Sequence, residues 1–182
     1  MQTIQPVATV SEQNPDQILF NCPGSTTTGD FFLETFSSGL KLLVMNMRFS
    51  EPVALYNENS PHTIGMNFAA KGKAEAFSMV YGHSIPIDPG ISGYFTYRDP
   101  VDMGEKIMTE HYQRVLVSME PETLTRLANE DEQTFAPFID GLKHKRLHMK
   151  ADKLTSTMGN ILQQIFNCPY QGKTRSFFLE SK

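Results

Sequence analysis

The hydrophobic period of this chain changes once, near residue 119, and that change limits what it can fold into. Before it, short apolar runs alternate with a period of two: FFLETF at 31–36, LKLLVMNMRF at 40–49, TIGMNFAA at 63–70, AEAFSMV at 74–80, ISGYFTYR at 91–98 and EKIMTEHYQRVLVS at 105–118. The breaks carry turn chemistry: Ser37-Ser38-Gly39, Lys71-Gly72-Lys73, Tyr81-Gly82-His83, Asp88-Pro89-Gly90 and Asp99-Pro100. About six or seven strands at this spacing predict an all-β barrel or sandwich. Within 40–49, Leu43, Met45, Met47 and Phe49 share one face and Leu40, Leu42 and Val44 the other, so both faces are expected to be partly buried.

After residue 119 the period is about 3.6 residues. Glu120-Pro121-Glu122 puts acidic side chains and a first-turn proline at the positive end of a helix dipole, predicting a short helix over 121–129. Phe135, Phe138, Ile139 and Leu142 predict a second helix, and 145–149 reads as a brief strand or extended link. A longer helix is expected over 151–167, with Leu154, Met158, Ile161 and Ile165 on one stripe that Leu162 and Phe166 widen. Pro169 stops it, because proline disfavours helical backbone in the residue before it. The final run KTRSFFLESK has no terminating Gly or Pro, the pattern of a helix expected to continue into a larger protein. The fold class is therefore α+β, a barrel followed by a C-terminal helical subdomain.

A length of 182 residues with 40% hydrophobic and 20% charged side chains suits one globular domain with a sizeable core. Residues 1–29 read as an N-terminal arm that must dock elsewhere, 30–118 as the barrel, and 119–182 as a helical linker region. The net charge of −4 argues against a chain that itself grips nucleic acid. Cys22 and Cys168 form no C-x-x-C pair, no signal sequence opens the chain, and no segment approaches the roughly 20 apolar residues of a membrane span. A cytoplasmic protein without membrane contact is expected.

Enzymatic motifs are missing. The histidines His62, His83, His111, His144 and His148 include no H-x-H pair, so no metal or other cofactor is expected. Neither cysteine has a neighbouring histidine, and there is no G-x-S-x-G elbow or Gly-rich phosphate loop. The basic tract Lys143, His144, Lys145, Arg146, His148 and Lys150 reads as a solvated face. Met45, Met47, Met66, Phe68, Phe77, Phe95 and Tyr97, with His111, are candidates to line a cavity for an apolar or aromatic small molecule, although each singly is an ordinary core residue. The stripe Leu154, Met158, Ile161, Leu162 and Ile165 either packs back on the barrel or pairs with a second copy around a two-fold axis.

The string Asn160 to Gly172, NILQQIFNCPYQG, followed by Thr174-Arg175 and Phe178-Leu179-Glu180-Ser181-Lys182, resembles the segment ahead of the DNA-binding half in AraC/XylS-family transcriptional regulators. Its sharpest part, Asn167-Cys168-Pro169-Tyr170-Gln171-Gly172, is similar to the branch typified by the regulator of pyochelin siderophore uptake. The strand order up to Met119 is similar to the jelly-roll, cupin-like sensor domain of such proteins. The resemblance implies a domain that binds a small-molecule effector, an iron–siderophore complex in that branch, and that forms a homodimer. It implies contact with DNA only through a C-terminal domain outside these residues, and an arm, here 1–29, that closes over the barrel ligand. It carries over no ligand residue. Asn167, Cys168, Pro169, Tyr170 and Gly172 are assigned a structural role as a helix corner. The chain is thus expected to be no enzyme. A cupin-type metal-dependent enzyme and a dimerisation module with a filled barrel are the alternatives.

Overall fold

A computed structural model of the protein describes residues 7–10, 18–21, 27–60, 63–78, 81–97, 101–143 and 148–182. Cys22, His62, the Asp99-Pro100 break and residues 144–147 of the basic tract lie outside the described residues. Near the N-terminus β1 (Val7–Val10) pairs antiparallel with β2 (Ile18–Asn21). A six-stranded sheet contains β3 (Thr27–Thr35), β4 (Leu40–Phe49), β6 (Thr63–Lys71), β9 (Ile91–Tyr97), β11 (His111–Met119) and β12 (His148–Lys153), in the order β12-β9-β6-β11-β4-β3. A four-stranded sheet contains β5 (Val53–Ser60), β7 (Ala74–Ser78), β8 (Ser84–Ile87) and β10 (Val101–Ile107), in the order β5-β10-β7-β8. From β4 to β11 the chain passes repeatedly between the two sheets, which gives the jelly-roll, cupin-like half of an α+β fold.

Alternation of side chains fixes what each sheet face buries. Met45, Met47 and Phe49 of β4 point between the sheets with Phe31, Val53, Ala69, Ile85, Ile87, Ile107 and Tyr112. Leu42 and Val44 point the other way, to the outer face of the six-stranded sheet, so both faces of this strand are buried. Close approach at Gly65 is obligatory, because a Cβ there would meet the Phe95 ring at 2.4 Å. Gly39, at φ +85°, closes the β3–β4 hairpin where Gly39 N donates to Phe36 O at 3.0 Å.

Among the described residues four helices cover the outer face of the six-stranded sheet. Leu124 of α1 (Pro121–Glu130) and Phe138 of α2 (Glu132–Lys143) pack on Ile64 and Met119. Leu162 and Ile165 of α3 (Ser156–Phe166) and Leu179 of α4 (Gly172–Glu180) pack on Leu42, Val44 and Val115. Among the described residues no helix is long and apolar enough to cross a membrane.

Several expected boundaries shift. The run 105–118 is two strands in different sheets, broken at Met108-Thr109-Glu110. Strands β5 and β8 were not expected: β5 ends in the polar Asn57-Glu58-Asn59-Ser60, and β8 contains Pro86, which an edge strand tolerates because one side needs no N–H donor. The helix expected over 151–167 begins only at Ser156, since 148–153 extends the six-stranded sheet along β9 and Thr155 caps the helix by accepting from Met158 N at 3.2 Å. Thr27 to Gly29, read as the end of an arm, already pair with β4.

Candidate functional site

The sequence-derived cavity candidates do not share one space. Met45, Met47 and Phe95 face the interior between the sheets, whereas Met66 packs toward α1 and α2 and Phe68 toward α3. His111 stands on the same outer face as Asn46, to which it is hydrogen-bonded. Phe77 meets Tyr56 edge-on at 5.7 Å, and the Tyr97 side chain lies outside the described residues. A strand's two faces cannot line one cavity, so Met66, Phe68 and His111, on the outer face, do not share the space that Met45, Met47 and Phe95 face.

A polar network lies between the two sheets. Arg114 pairs with Glu105 Oε2, Tyr112 donates to Glu105 Oε1, and Arg114 Nε donates to Asn67 Oδ1 at 2.6 Å. Both carboxylate oxygens are engaged, which is what a charge only 8% exposed requires. Burial and the adjacent carboxylate push the Tyr112 phenol far above its ordinary range, so it remains a hydrogen-bond donor.

A cleft of about 580 Å³ opens instead on the outer face, between β3–β4 and the joint of α3 with α4. Alternation on β3 aims Asp30, Phe32 and Glu34 outward, and their β4 partners Asn46, Val44 and Leu42 face the same way. The opposite wall comes from Ile165, Phe166, Gln171 and Arg175. The Arg175 guanidinium carbon lies 4.0 Å over the Phe32 ring, a cation–π contact, and its buried Nε–H has no hydrogen-bond partner among the described residues.

The Asn46 side chain lies at the floor of this cleft. Its Oδ1 accepts from His111 Nε2 at 2.9 Å and from Gln113 Nε2 at 3.2 Å. With Nε2 carrying the proton, His111 Nδ1 is a buried lone pair without a partner among the described residues. Burial, then Lys71 and Arg48, hold the His111 pKa below its ordinary 6.5, against a smaller opposing effect of Glu110.

The family turn forms the corner beside the cleft. Asn167 caps α3, its Nδ2 donating to Gln163 O at 2.8 Å; Cys168 packs into the helix–sheet core, and Tyr170 lies 5.2 Å from Phe178. Gly172 opens α4 at φ +56°, a conformation that glycine takes without strain. The far end of α4 is also anchored, because Ser38 N donates to Glu180 Oε1 at 3.1 Å. Of the stripe read as a dimer seam, Leu162 and Ile165 are buried against the sheet, Leu154 and Ile161 are partly so, and Met158 is 37% exposed. Within a single chain the stripe packs back on the barrel. Among the described residues no three His, Cys, Asp or Glu side chains converge to hold a metal ion.

Sequence reasoning missed Asp30, Phe32, Glu34, Asn46 and Arg175. The signal lay in the acid–aromatic–acid alternation at 30, 32 and 34, on the strand face opposite the apolar Phe31 and Leu33.

A two-sheeted cupin-like barrel with helices packed on one outer face is, in this chain, the regulatory domain of an AraC-family transcription regulator. The chain belongs to the family described as the regulatory protein PchR N-terminal domain, which matches residues 28–182. Among solved structures it is similar to an apo ToxT variant from Vibrio cholerae strain SCE256, at 11% identity over 81% of this chain and 54% of that one, with a TM-score of 0.49. ToxT from Vibrio cholerae O395 bound to (E)-4-(8-methylnaphthalen-1-yl)but-3-enoic acid is 13% identical over 79% of this chain and 54% of that one, TM-score 0.49. The Schizosaccharomyces pombe Cnp3 cupin domain is 9% identical over 71% of this chain and 96% of that one, TM-score 0.41. The chain spans about half the length of the ToxT structures. No curated protein matches it.

Proposed function

We propose that the chain is the effector-sensing and dimerising half of a cytoplasmic bacterial AraC-family regulator, and that a helix-turn-helix half elsewhere in the full-length protein binds DNA. The arm at 1–29, the barrel at 30–118 and the helical region at 119–182 are its working parts in this reading. The observation that carries it is the position of the 580 Å³ cleft. One wall is the rigid sheet and the other is the α3–α4 joint, so a ligand lodged there bears directly on the segment that contains the family turn. A ligand can shift the position of α4 only by binding one arrangement better than another. The likeness to the pyochelin regulator makes an iron–siderophore complex the first effector to try.

Thermal denaturation with a panel of iron–siderophore complexes, sugars and aromatic acids tests the reading. A ligand at 100 times its Kd stabilises by about 2.7 kcal/mol, a rise of about 5–10 °C for a domain of this size. A chain that no member of the panel stabilises favours the filled dimerisation module over the sensor.

A further inference from the structure

We infer that the cleft between β3–β4 and α4 takes a small aromatic zwitterion, a ring bearing one carboxylate and one amine. This deepens the sensing reading and rests on it. The cleft volume, about 580 Å³, lies within the range of small-molecule pockets, and Val44, Ile165 and Phe166 give it apolar walls. Arg175 lies over Phe32, its guanidinium carbon 4.0 Å from the ring centroid, with a buried Nε–H that lacks an acceptor among the described residues. A guanidinium on the cleft wall that forms no salt bridge among the described residues is matched best by an anionic oxygen at its remaining N–H groups. Asn46 adds to this, because its Oδ1 already serves two donors and its amide protons are what it has left to offer.

A purely anionic ligand is disfavoured by the same walls. Asp30 and Glu34 face outward on either side of Phe32, and neither forms a salt bridge among the described residues. Two carboxylates against one guanidinium leave the cleft net negative, which repels a second anion and attracts a cation. Asp30 and Glu34 stand two residues to either side of Phe32 along the strand, so a ligand with its amine para to its carboxylate, such as para-(aminomethyl)benzoate, extends from Arg175 toward one or the other. The ligand's carboxylate therefore meets Arg175, its ring lies on the apolar wall, and its ammonium meets Asp30 or Glu34.

Calorimetry and thermal denaturation of the chain with para-(aminomethyl)benzoate, benzoate and benzylamine test the assignment. The zwitterion is expected to bind at least tenfold more tightly than either single-charge analogue and to raise Tm by about 3 °C at ten times its Kd. Arg175→Gln should weaken it at least tenfold. Arg175→Lys, which keeps the charge without the planar stack, should cost less and serves if the first variant melts early. In Asp30→Asn/Glu34→Gln benzoate should bind as well as the zwitterion. Equal binding of benzoate and the zwitterion to the unaltered chain, an Arg175→Gln variant with undiminished affinity, or no binding of any of the three overturns the assignment. Stabilisation by an iron–siderophore complex that Arg175→Gln leaves unchanged also overturns it while the sensing reading stands, whereas a chain that neither these probes nor the siderophore panel stabilises loses both.

Discussion

Glu105 of β10 and Arg114 of β11 form an ion pair across the barrel interior and so tie the four-stranded sheet to the six-stranded one. Their side chains are 8% and 12% exposed, so water contributes little to either charge. Removing one partner leaves the other buried and unpaired, which costs about 3–5 kcal/mol. Arg114→Met is expected to lower the free energy of unfolding by that amount in urea denaturation. The triple variant Glu105→Leu/Arg114→Met/Tyr112→Phe, which removes the charges and the phenol that serves them, should lose less than Arg114→Met alone. A triple variant less stable than the single one contradicts the desolvation argument.

A second expectation concerns acid. The His111 pKa is lowered from 6.5 by burial and by Lys71 and Arg48, so the unfolded chain takes up a proton at a pH where the folded chain does not. Stability from this residue is therefore fully present above 6.5 and is lost as the pH falls from 6.5 toward the lowered folded value. His111→Gln should flatten the stability–pH curve in that interval. An identical slope in the variant assigns the pH dependence to other groups.

The two charged partners of the barrel interior show where the sequence was readable and where it was not. Glu105 and Arg114 lie in one run, 105–118, whose alternation predicts a single strand; the break at Met108-Thr109-Glu110 carries no Gly or Pro, so nothing local marks the change of sheet. The grouping of β4 side chains into two faces was legible, because a ten-residue strand sends successive side chains to opposite sides. So was the turn at 37–39, where the hairpin needs a positive φ and Gly39 supplies it. Met66 and Phe68 show the complementary difficulty: periodicity groups residues by face but does not say which face is inward, and helices on the outside make both apolar. The cleft was hidden for a different reason. Arg175 and Phe32 are 143 positions apart, and only the packing of α4 on the sheet brings them together.

Association through α3 should depend on its exposed side. Met158→Glu is expected to shift a dimer to monomer in sedimentation velocity without lowering Tm, because Met158 is 37% exposed. Leu162→Ala should do the reverse, costing about 2–5 kcal/mol of stability and leaving association intact, since Leu162 is buried against the sheet. A Met158→Glu chain that remains dimeric places the interface elsewhere.

Gly65 offers a test of the packing between the sheets. An alanine Cβ there would lie 2.4 Å from Cζ of Phe95, and the buried ring must move. Gly65→Ala should cost about 1–3 kcal/mol, and adding Phe95→Leu should recover part of the loss. Full additivity of the two in urea melts would mean that ring and glycine do not press on each other.

The central claim is that occupancy of the cleft is read by α4, and hydrogen exchange with and without a saturating ligand tests it most directly. With whichever compound raises Tm, amides of 172–180 and of 30–34 should change in protection while those of 64–69, in the middle of the six-stranded sheet, stay as they are. Protection that changes only in β5, β7 and β10, with 172–180 untouched, would place the ligand between the sheets and contradict the account.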